Sequence, residues 1–175
     1  MDLEQHRQRR QQLMDRVGET GAVIVASAVE VIRNRDSHYP FRQNSDFRYL
    51  TGFPEPDAVL VLLPGREDGE SILFCRDRDP ERELWDGARV GQEGAVERYG
   101  FDQAESIDQL DDRMPELLAG RESVHVFLGE DAEFDASLMA WIRQLRTRVR
   151  TGVRAPDRIL ALEGLLHEMR LLKSA

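Results

Sequence analysis

The chain has 175 residues, of which 41% are hydrophobic, and a formal net charge of −9. This length suits one domain with a real core, and the acidic balance argues against nucleic acid or an anionic membrane surface as a partner. Cys75 is the single cysteine, which excludes an internal disulfide, and we find no signal peptide and no apolar run of membrane-spanning length. We therefore expect a cytoplasmic protein.

The first half of the chain predicts one helix followed by strands. Apolar residues at helical spacing indicate a surface helix over 3–17, closed by Gly18. Short apolar runs rich in β-branched or aromatic residues predict strands. These runs are 21–29, 47–53, 58–63 and 71–75. Because residues 64–69 have the composition of a turn, we expect the last two runs to pair as an antiparallel hairpin.

The second half predicts helices around one further strand, 123–128. A short helix is expected over 92–100. A capping-box pattern at 106–109 opens the next, which Pro115 should kink or split. A third helix is expected over 135–150, with an inward face formed by Leu138, Met139, Ile142, Leu145 and Val149.

Residues 151–156 have the only linker-like composition in the chain. Beyond them, four apolar residues recur at helical spacing, with Leu165 and Leu172 widening the stripe. The four are Ile159, Leu162, Leu166 and Met169. We expect this helix to expose an apolar face, which suggests that the natural chain continues.

The segment 33–53 mixes amides and carboxylates with aromatic residues and fits neither helical nor strand periodicity. Buried polar groups cost roughly 1–3 kcal/mol each without a partner, so this composition implies a specified hydrogen-bond network. Two interpretations remain open: an ordered loop that joins core elements, or the wall of a site or an interface.

The sequence contains no motif that carries catalytic chemistry by itself. The zinc-binding, phosphate-binding and nucleophile-elbow patterns are absent, and the four histidines lie far apart. His125 alternates with valines and is interpreted as a core or edge histidine, and His167 as a capping or interface group. We predict no catalytic residue and no metal ligand in this chain.

Three segments carry a family resemblance. The strings 41–47 and 49–53 resemble the signature of the amino-terminal domain of Xaa-Pro aminopeptidases (aminopeptidase P), in the creatinase and prolidase superfamily. Segment 84–91 is similar to the tryptophan-containing loop of that domain, and 167–174 resembles its junction with the catalytic domain. The resemblance implies an α/β fold, a mixed β-sheet flanked by helices.

The resemblance also implies how the chain is divided and what it serves. Residues 1–155 would form the aminopeptidase P amino-terminal domain, and 156–175 a linker helix and the start of a missing carboxy-terminal "pita-bread" catalytic domain. Members of the family release the first residue of peptides whose second residue is proline. They use two divalent metals, typically manganese, held in the catalytic domain. None of those ligands is assigned to this chain.

Site residues follow from the resemblance position by position. The family's loop tryptophan falls on Trp85, with Gly87 and Arg89 beside it, where the amino-terminal domain approaches the active-site mouth, often from a neighbouring subunit. The signature residues are candidates for cleft lining or structural support, and Asp36 is a candidate for the same network. These signature residues are Asn44, Ser45, Asp46 and Tyr49.

The implied partners are the protein's own catalytic domain, a proline-containing peptide, and further copies of the chain in a dimer or tetramer. Two alternatives stay open. The chain is the equivalent domain of a relative such as prolidase, which cleaves dipeptides, or creatinase. Otherwise it is a stand-alone binding or oligomerisation module that uses the loop surface without a catalytic half.

Overall fold

The computed structural model describes residues 3–34 and 37–171. Within these residues, six strands form one mixed sheet in the order β6-β5-β4-β1-β7-β8. The strands are β1 (Gly21–Ala26), β4 (Val59–Leu62), β5 (Ser71–Cys75), β6 (Gln103–Ser106), β7 (Ser123–Val126) and β8 (Arg158–Ala161). Two short strands, β2 (Ile32–Asn34) and β3 (Ser37–His38), pair separately. The predicted antiparallel pair β4 and β5 is confirmed, with Leu60 opposite Leu73.

Helices cover both faces of the sheet. They are α1 (Leu3–Val17), α2 (Ser45–Thr51), α3 (Pro80–Asp86), α4 (Gly91–Tyr99), α5 (Leu110–Leu118), α6 (Ala132–Thr147) and α7 (Glu163–Leu171), with 3-10 turns at Ile107–Gln109 and Val149–Thr151. One core cluster joins the sheet to α1, α2, α4 and α7, and a second joins it to α5 and α6. Alternate residues of β1 and β4 enter opposite clusters, as the pleat requires. The predicted α/β fold with a flanked mixed sheet is confirmed.

The strand predicted over 47–53 is wrong, because residues 47–51 lie in helix α2 and Gly52 ends that helix. The aromatic residues favoured a strand on propensity, but the local capping signals favour a helix. Asn44 accepts hydrogen bonds from the backbone N–H groups of Asp46 and Phe47, at 2.9 and 3.1 Å. At the other end, Gly52 has φ +66°, the left-handed conformation that closes a helix.

The helix predicted to follow the linker is wrong at its start. Ile159 lies in strand β8, which pairs in parallel with β7, and the helix begins only at Glu163. The predicted exposed apolar face is also wrong, since Leu162, Leu166 and Met169 are buried in the same core as α1. Leu172 lies outside the described residues.

Helix α6 is shifted and rotated relative to its prediction. It ends at Thr147, so Val149 lies beyond it and is exposed, and Met139 is 39% exposed. Trp141 is buried instead, and its Nε1 donates to Asp111 at 2.8 Å. Pro115 does not split α5, whose run from Leu110 to Leu118 contains it.

None of the helices over 3–34 and 37–171 combines the length and apolar character needed to cross a membrane.

Candidate functional site: the signature segment and the tryptophan arm

The carboxyl ends of five strands lie at one edge of the sheet. Strands β1, β7 and β8 pair in parallel, as do β5 and β6, while β4 runs antiparallel to both β1 and β5. Ligand sites of α/β proteins commonly lie at this edge. The segment after β1 leads to residues 41–53, here called the signature segment. The segment after β5 is residues 76–90, here called the tryptophan arm.

Basic side chains of α1 donate hydrogen bonds to backbone carbonyls of the signature segment. His6 Nδ1 and Arg9 Nη1 donate to the carbonyl of Tyr49, at 2.9 and 3.1 Å. Arg10 Nη1 donates to the carbonyl of Leu50 at 3.0 Å. These carbonyls lie in the last turn of α2, where donors and positive charge are favourable. Burial lowers the pKa of His6, and it lowers the pKa of Arg10 to about 10.

Two predicted site residues of the signature segment join α2 to its neighbours. Asp46 Oδ1 accepts from Arg170 Nη1 of α7 at 2.6 Å. The ring of Tyr49 lies under the Arg9 guanidinium, whose Cζ is 4.2 Å from the ring centroid, and its hydroxyl lies 3.4 Å from the Met169 carbonyl. Asn44 caps α2 as described above. All three residues therefore make contacts that stabilise the position of α2.

Gln43 connects the signature segment to the segment that follows β1 and to the segment that precedes β4. Its Oε1 accepts from the N–H groups of Ala28 and Asn44, at 2.9 and 3.0 Å. Its Nε2 donates to the carbonyls of Glu55 and Phe53, at 2.8 and 3.3 Å. The amide is buried, and both its oxygen and its nitrogen are used twice. This network is the one that the mixture of amides and aromatics implied.

The tryptophan arm is an ordered excursion that carries helix α3. Asp79 caps the helix by accepting from the N–H groups of Glu81 and Arg82, and Pro80 occupies its first turn. Arg78 donates two hydrogen bonds to the Glu83 carboxylate, at 3.1 and 3.0 Å. These bonds lower the pKa of Glu83. A short helix with a cap and a bidentate ion pair is locally well specified.

The arm presents two large apolar side chains to solvent. Trp85 is 89% exposed and Leu84 is 84% exposed. Gly87 ends α3 with φ +88°, and its N–H donates to the carbonyl of Glu83 at 3.1 Å. A tryptophan this exposed on a capped helix is typical of a surface that contacts a ligand or another protein.

Hydrogen bonds join the two ends of the arm to each other, near residues 77 and 89. Arg89 Nη1 donates to the Asp77 carbonyl at 3.1 Å, and Gln92 Nε2 donates to Asp77 Oδ1 at 2.8 Å. A Cβ added to Gly91 would lie 2.6 Å from Cγ of Arg78, so only glycine allows this close approach, and φ at Gly91 is +66°. The two ends of the arm are therefore in contact with each other, so the arm is closed at its base.

Glu55 is a site residue that the sequence did not reveal. It is buried, and its Oε1 accepts from the N–H of Val90 at 2.5 Å. Its Oε2 lies 3.6 Å from Nη2 of Arg76. Arg76 and Val90 are the first and last residues of the arm, so one carboxylate contacts both. Its place between Pro54 and Pro56 was the available signal.

A polar pocket of about 740 Å³ opens beside the arm. Four arginines and five carboxylates line it, so its charges are mixed. They are Arg76, Arg78, Arg82, Arg89, Glu30, Asp57, Asp77, Asp79 and Asp108. Over 3–34 and 37–171, no three His, Cys, Asp or Glu side chains are grouped as metal ligands would be. The described part of the chain thus offers surfaces and supports, but no metal centre.

The structure brings the predicted site residues together in two groups. Asn44, Asp46 and Tyr49 share helix α2 or its cap. Trp85, Gly87 and Arg89 share the arm. The path from Gln43 through Glu55 to Val90 connects the groups. Asp36 lies outside the described residues. The functional roles assigned to these residues stay predictions.

His125 and His167 take no part in the contacts of the signature segment or the arm given above. His125 lies on β7, is 8% exposed, and its Nδ1 has no hydrogen-bond partner among the described residues. Burial lowers the pKa of His125, and nearby Arg158 lowers it further. His167 is exposed on α7. The interpretation of His125 as a core or edge histidine agrees with its burial on an interior strand.

These features define an α/β domain built around a signature segment and an exposed tryptophan arm. The family model for the aminopeptidase P N-terminal domain matches residues 6–127, so the chain belongs to that family. Xaa-Pro aminopeptidase of Escherichia coli K12 is 39% identical over 172 residues, which cover 98% of this chain and 39% of that protein.

Solved structures give the same result. Aminopeptidase PepP of Pseudomonas aeruginosa superposes with a TM-score of 0.97 at 48% identity, and the match covers 100% of this chain and 40% of that one. Zinc-substituted aminopeptidase P of E. coli, in complex with product, superposes with a TM-score of 0.93 at 38% identity, covering 99% of this chain and 40% of that one. The chain spans about two fifths of the length of these relatives.

Proposed function

We propose that this chain is the non-catalytic amino-terminal part of a metal-dependent Xaa-Pro aminopeptidase. In this proposal residues 1–155 form the body of the domain and 156–175 lead toward a catalytic half, with β8 as a strand of the same sheet and α7 packed in its core. The support is the match over nearly the whole chain to Xaa-Pro aminopeptidases that are two and a half times longer. The chemistry would then belong to residues beyond this chain.

The metals belong to the catalytic half in this proposal. Two divalent ions, manganese by preference, would activate water as the nucleophile and polarise the scissile carbonyl. The donor set of the described residues does not fit such a centre, because no three ligand-type side chains are grouped there. The cytoplasm is the proposed location, and it agrees with a single cysteine that is buried.

The observation that carries a role at the active-site cleft is the exposure of Trp85 on a capped and closed arm. A flat indole offers a proline ring apolar contact together with one N–H donor. The exposed Leu84 next to it widens the apolar surface. We propose that this surface approaches the cleft of a catalytic domain and helps to form a dimer or tetramer.

The test is hydrolysis of a Xaa-Pro peptide with added manganese, measured on this chain and on the full reading frame that encodes it. We expect activity in the longer protein and none in the 175-residue chain. Activity in neither protein would favour a stand-alone binding module, and activity in the short chain would contradict the proposal.

The role of Trp85 is tested in the longer protein by Trp85→Ala. Because the indole is proposed to contact peptide, kcat/KM should fall, by roughly tenfold for the loss of one buried aromatic contact. Val149→Ala is the control, since Val149 is also an exposed apolar residue but lies outside the arm, and it should leave kcat/KM unchanged. Equal kcat/KM in wild type and Trp85→Ala would refute the role.

A further inference from the structure

The two ends of the tryptophan arm are held by contacts of unequal strength. The hydrogen bonds of Arg78 to Glu83, of Arg89 to Asp77 and of Gln92 to Asp77 are exposed to solvent. Exposed ionic and polar contacts typically contribute between 0 and 1 kcal/mol. The bond from the Val90 N–H to Glu55 Oε1 is buried, and an ionised acceptor in a low-dielectric setting binds such a donor more strongly.

Contacts outside the arm also hold Glu55 in position. Its backbone carbonyl accepts from Gln43 Nε2 at 2.8 Å, and the oxygen of the same amide accepts from Ala28 and Asn44. The carboxylate therefore projects from a hydrogen-bonded support that belongs to the signature segment. A group held in this way can fix the position of a second segment.

The ionic contact of Glu55 is poorly optimised for stability alone. Its Oε2 and the Nε of Arg76 are both buried, and neither has a hydrogen-bond partner among the described residues. A buried ion pair with incomplete hydrogen bonding gives little net stabilisation, because desolvation offsets the attraction. The geometry does, however, place the first and last residues of the arm on one carboxylate.

We propose that Glu55 is a positioning residue for Trp85. Its carboxylate joins Arg76 to Val90, closes the base of the arm, and so fixes the direction in which the indole is presented to the peptide. This inference rests on the proposed function for its catalytic consequence, but the closure of the arm is a property of this chain and can be measured without activity.

The first measurement is amide hydrogen exchange of residues 80–90 in this chain. Glu55→Ala removes both contacts, so exchange over 80–90 should rise by about tenfold or more, while the helix 110–118 keeps its rates. Glu55→Gln keeps an acceptor for the Val90 N–H and should restore most of the protection. Unchanged exchange over 80–90, or an equal rise throughout the chain, would overturn the proposal.

Asp102→Ala is the matched control. Asp102 Oδ2 accepts from the N–H groups of Glu70 and Ser71 and from the Ser71 hydroxyl, at the opposite edge of the sheet. Its loss should raise exchange near residue 70 and leave 80–90 unchanged. A rise over 80–90 in this control would show that the arm responds to any loss of stability, which contradicts a specific role for Glu55.

The second measurement is kcat/KM in the longer protein for Glu55→Ala, Trp85→Ala and the double variant. If Glu55 acts through Trp85, the double variant should match Trp85→Ala within about twofold. Independent effects that multiply would contradict the positioning role. If the wild-type protein hydrolyses no Xaa-Pro peptide, the proposed function fails, and the exchange result alone decides whether Glu55 closes the arm.

Discussion

The signature segment and the tryptophan arm are both family motifs, yet they are used in opposite ways. In the signature segment Gln43 is buried, and Gln43, Asn44 and Asp46 all bond to groups of this chain. The arm turns outward and exposes Trp85 and Leu84. A motif residue can therefore serve the fold or the surface, and burial with satisfied hydrogen bonds separates the two cases.

The largest effect should come from Arg10, the buried cation under the signature segment. Arg10→Ala removes the donor to the Leu50 carbonyl, leaves the Gly100 carbonyl only the longer bond from Arg7, and opens a cavity beside Phe101. We expect a loss of about 3 kcal/mol or more in the free energy of unfolding. Urea denaturation measures it.

Arg16→Ala is the control for that experiment. Arg16 lies on the same helix, but its ion pair with Glu168 is exposed. The expected loss is below about 1 kcal/mol. Similar losses in the two variants would mean that the contacts under α2 contribute no more than a surface ion pair.

The two helix caps sharpen the comparison at a smaller scale. Asn44→Ala removes the cap of α2 inside the folded body and should cost about 1 kcal/mol, while Asn44→Asp keeps the acceptor and most of the stability. Asp79→Ala removes the cap of α3 in the arm. Since we expect the arm to open independently of the body of the domain, the loss of this cap should change the free energy of global unfolding by less than about 0.5 kcal/mol.

Differential scanning calorimetry on the three variants measures these differences. Equal losses for Asn44→Ala and Asp79→Ala would show that the arm unfolds together with the body of the domain. That result would mean that the arm is as fully integrated into the domain as the signature segment.

A smaller effect is expected from pH, and it acts on the signature segment rather than on the arm. Burial lowers the folded-state pKa of His6 below its unfolded value of about 6.5, and nearby Arg9 and Arg10 act in the same direction. The stability is therefore complete above that unfolded value and falls as the pH drops through the lower folded pKa. His125 shifts in the same direction.

His6→Asn tests the source of that pH dependence. Asparagine can place an N–H near the Tyr49 carbonyl but does not titrate. Urea unfolding at pH 7.5 and pH 5.5 should show a smaller loss in the variant than in the wild type. An identical loss would assign the pH dependence to other groups, such as His125.

The parts of the fold that sequence predicted are those with strong local signals. Helix α1 has the predicted bounds, because its spacing and Gly18 are unambiguous, and the apolar runs at β1, β4, β5 and β7 are buried strands. Strand β6 was missed because Gln103–Ser106 is polar and lies at the sheet edge. Strand β8 was missed because its place depends on pairing with β7, which local periodicity does not encode.

The candidate site was predicted unevenly for the same reason. Trp85 was predicted from the family resemblance, and its side chain is exposed and so accessible to a ligand or partner. Glu55 was missed because its role depends on Val90, 35 residues away in the chain. The exposure of Leu84 was likewise not predicted, since it depends on how α3 is oriented on the arm.

The smallest effect on stability should come from Trp85, the residue for which we propose contact with the peptide. Trp85→Ala removes a side chain that is 89% exposed, so the free energy of unfolding should change by no more than about 0.5 kcal/mol. Trp141→Ala is the matched control, because that indole is buried and donates to Asp111, and it should cost about 3 kcal/mol or more. Urea denaturation distinguishes them. A large loss for Trp85→Ala would mean that the arm packs on the domain, in which case a fall in turnover would no longer indicate contact with a peptide.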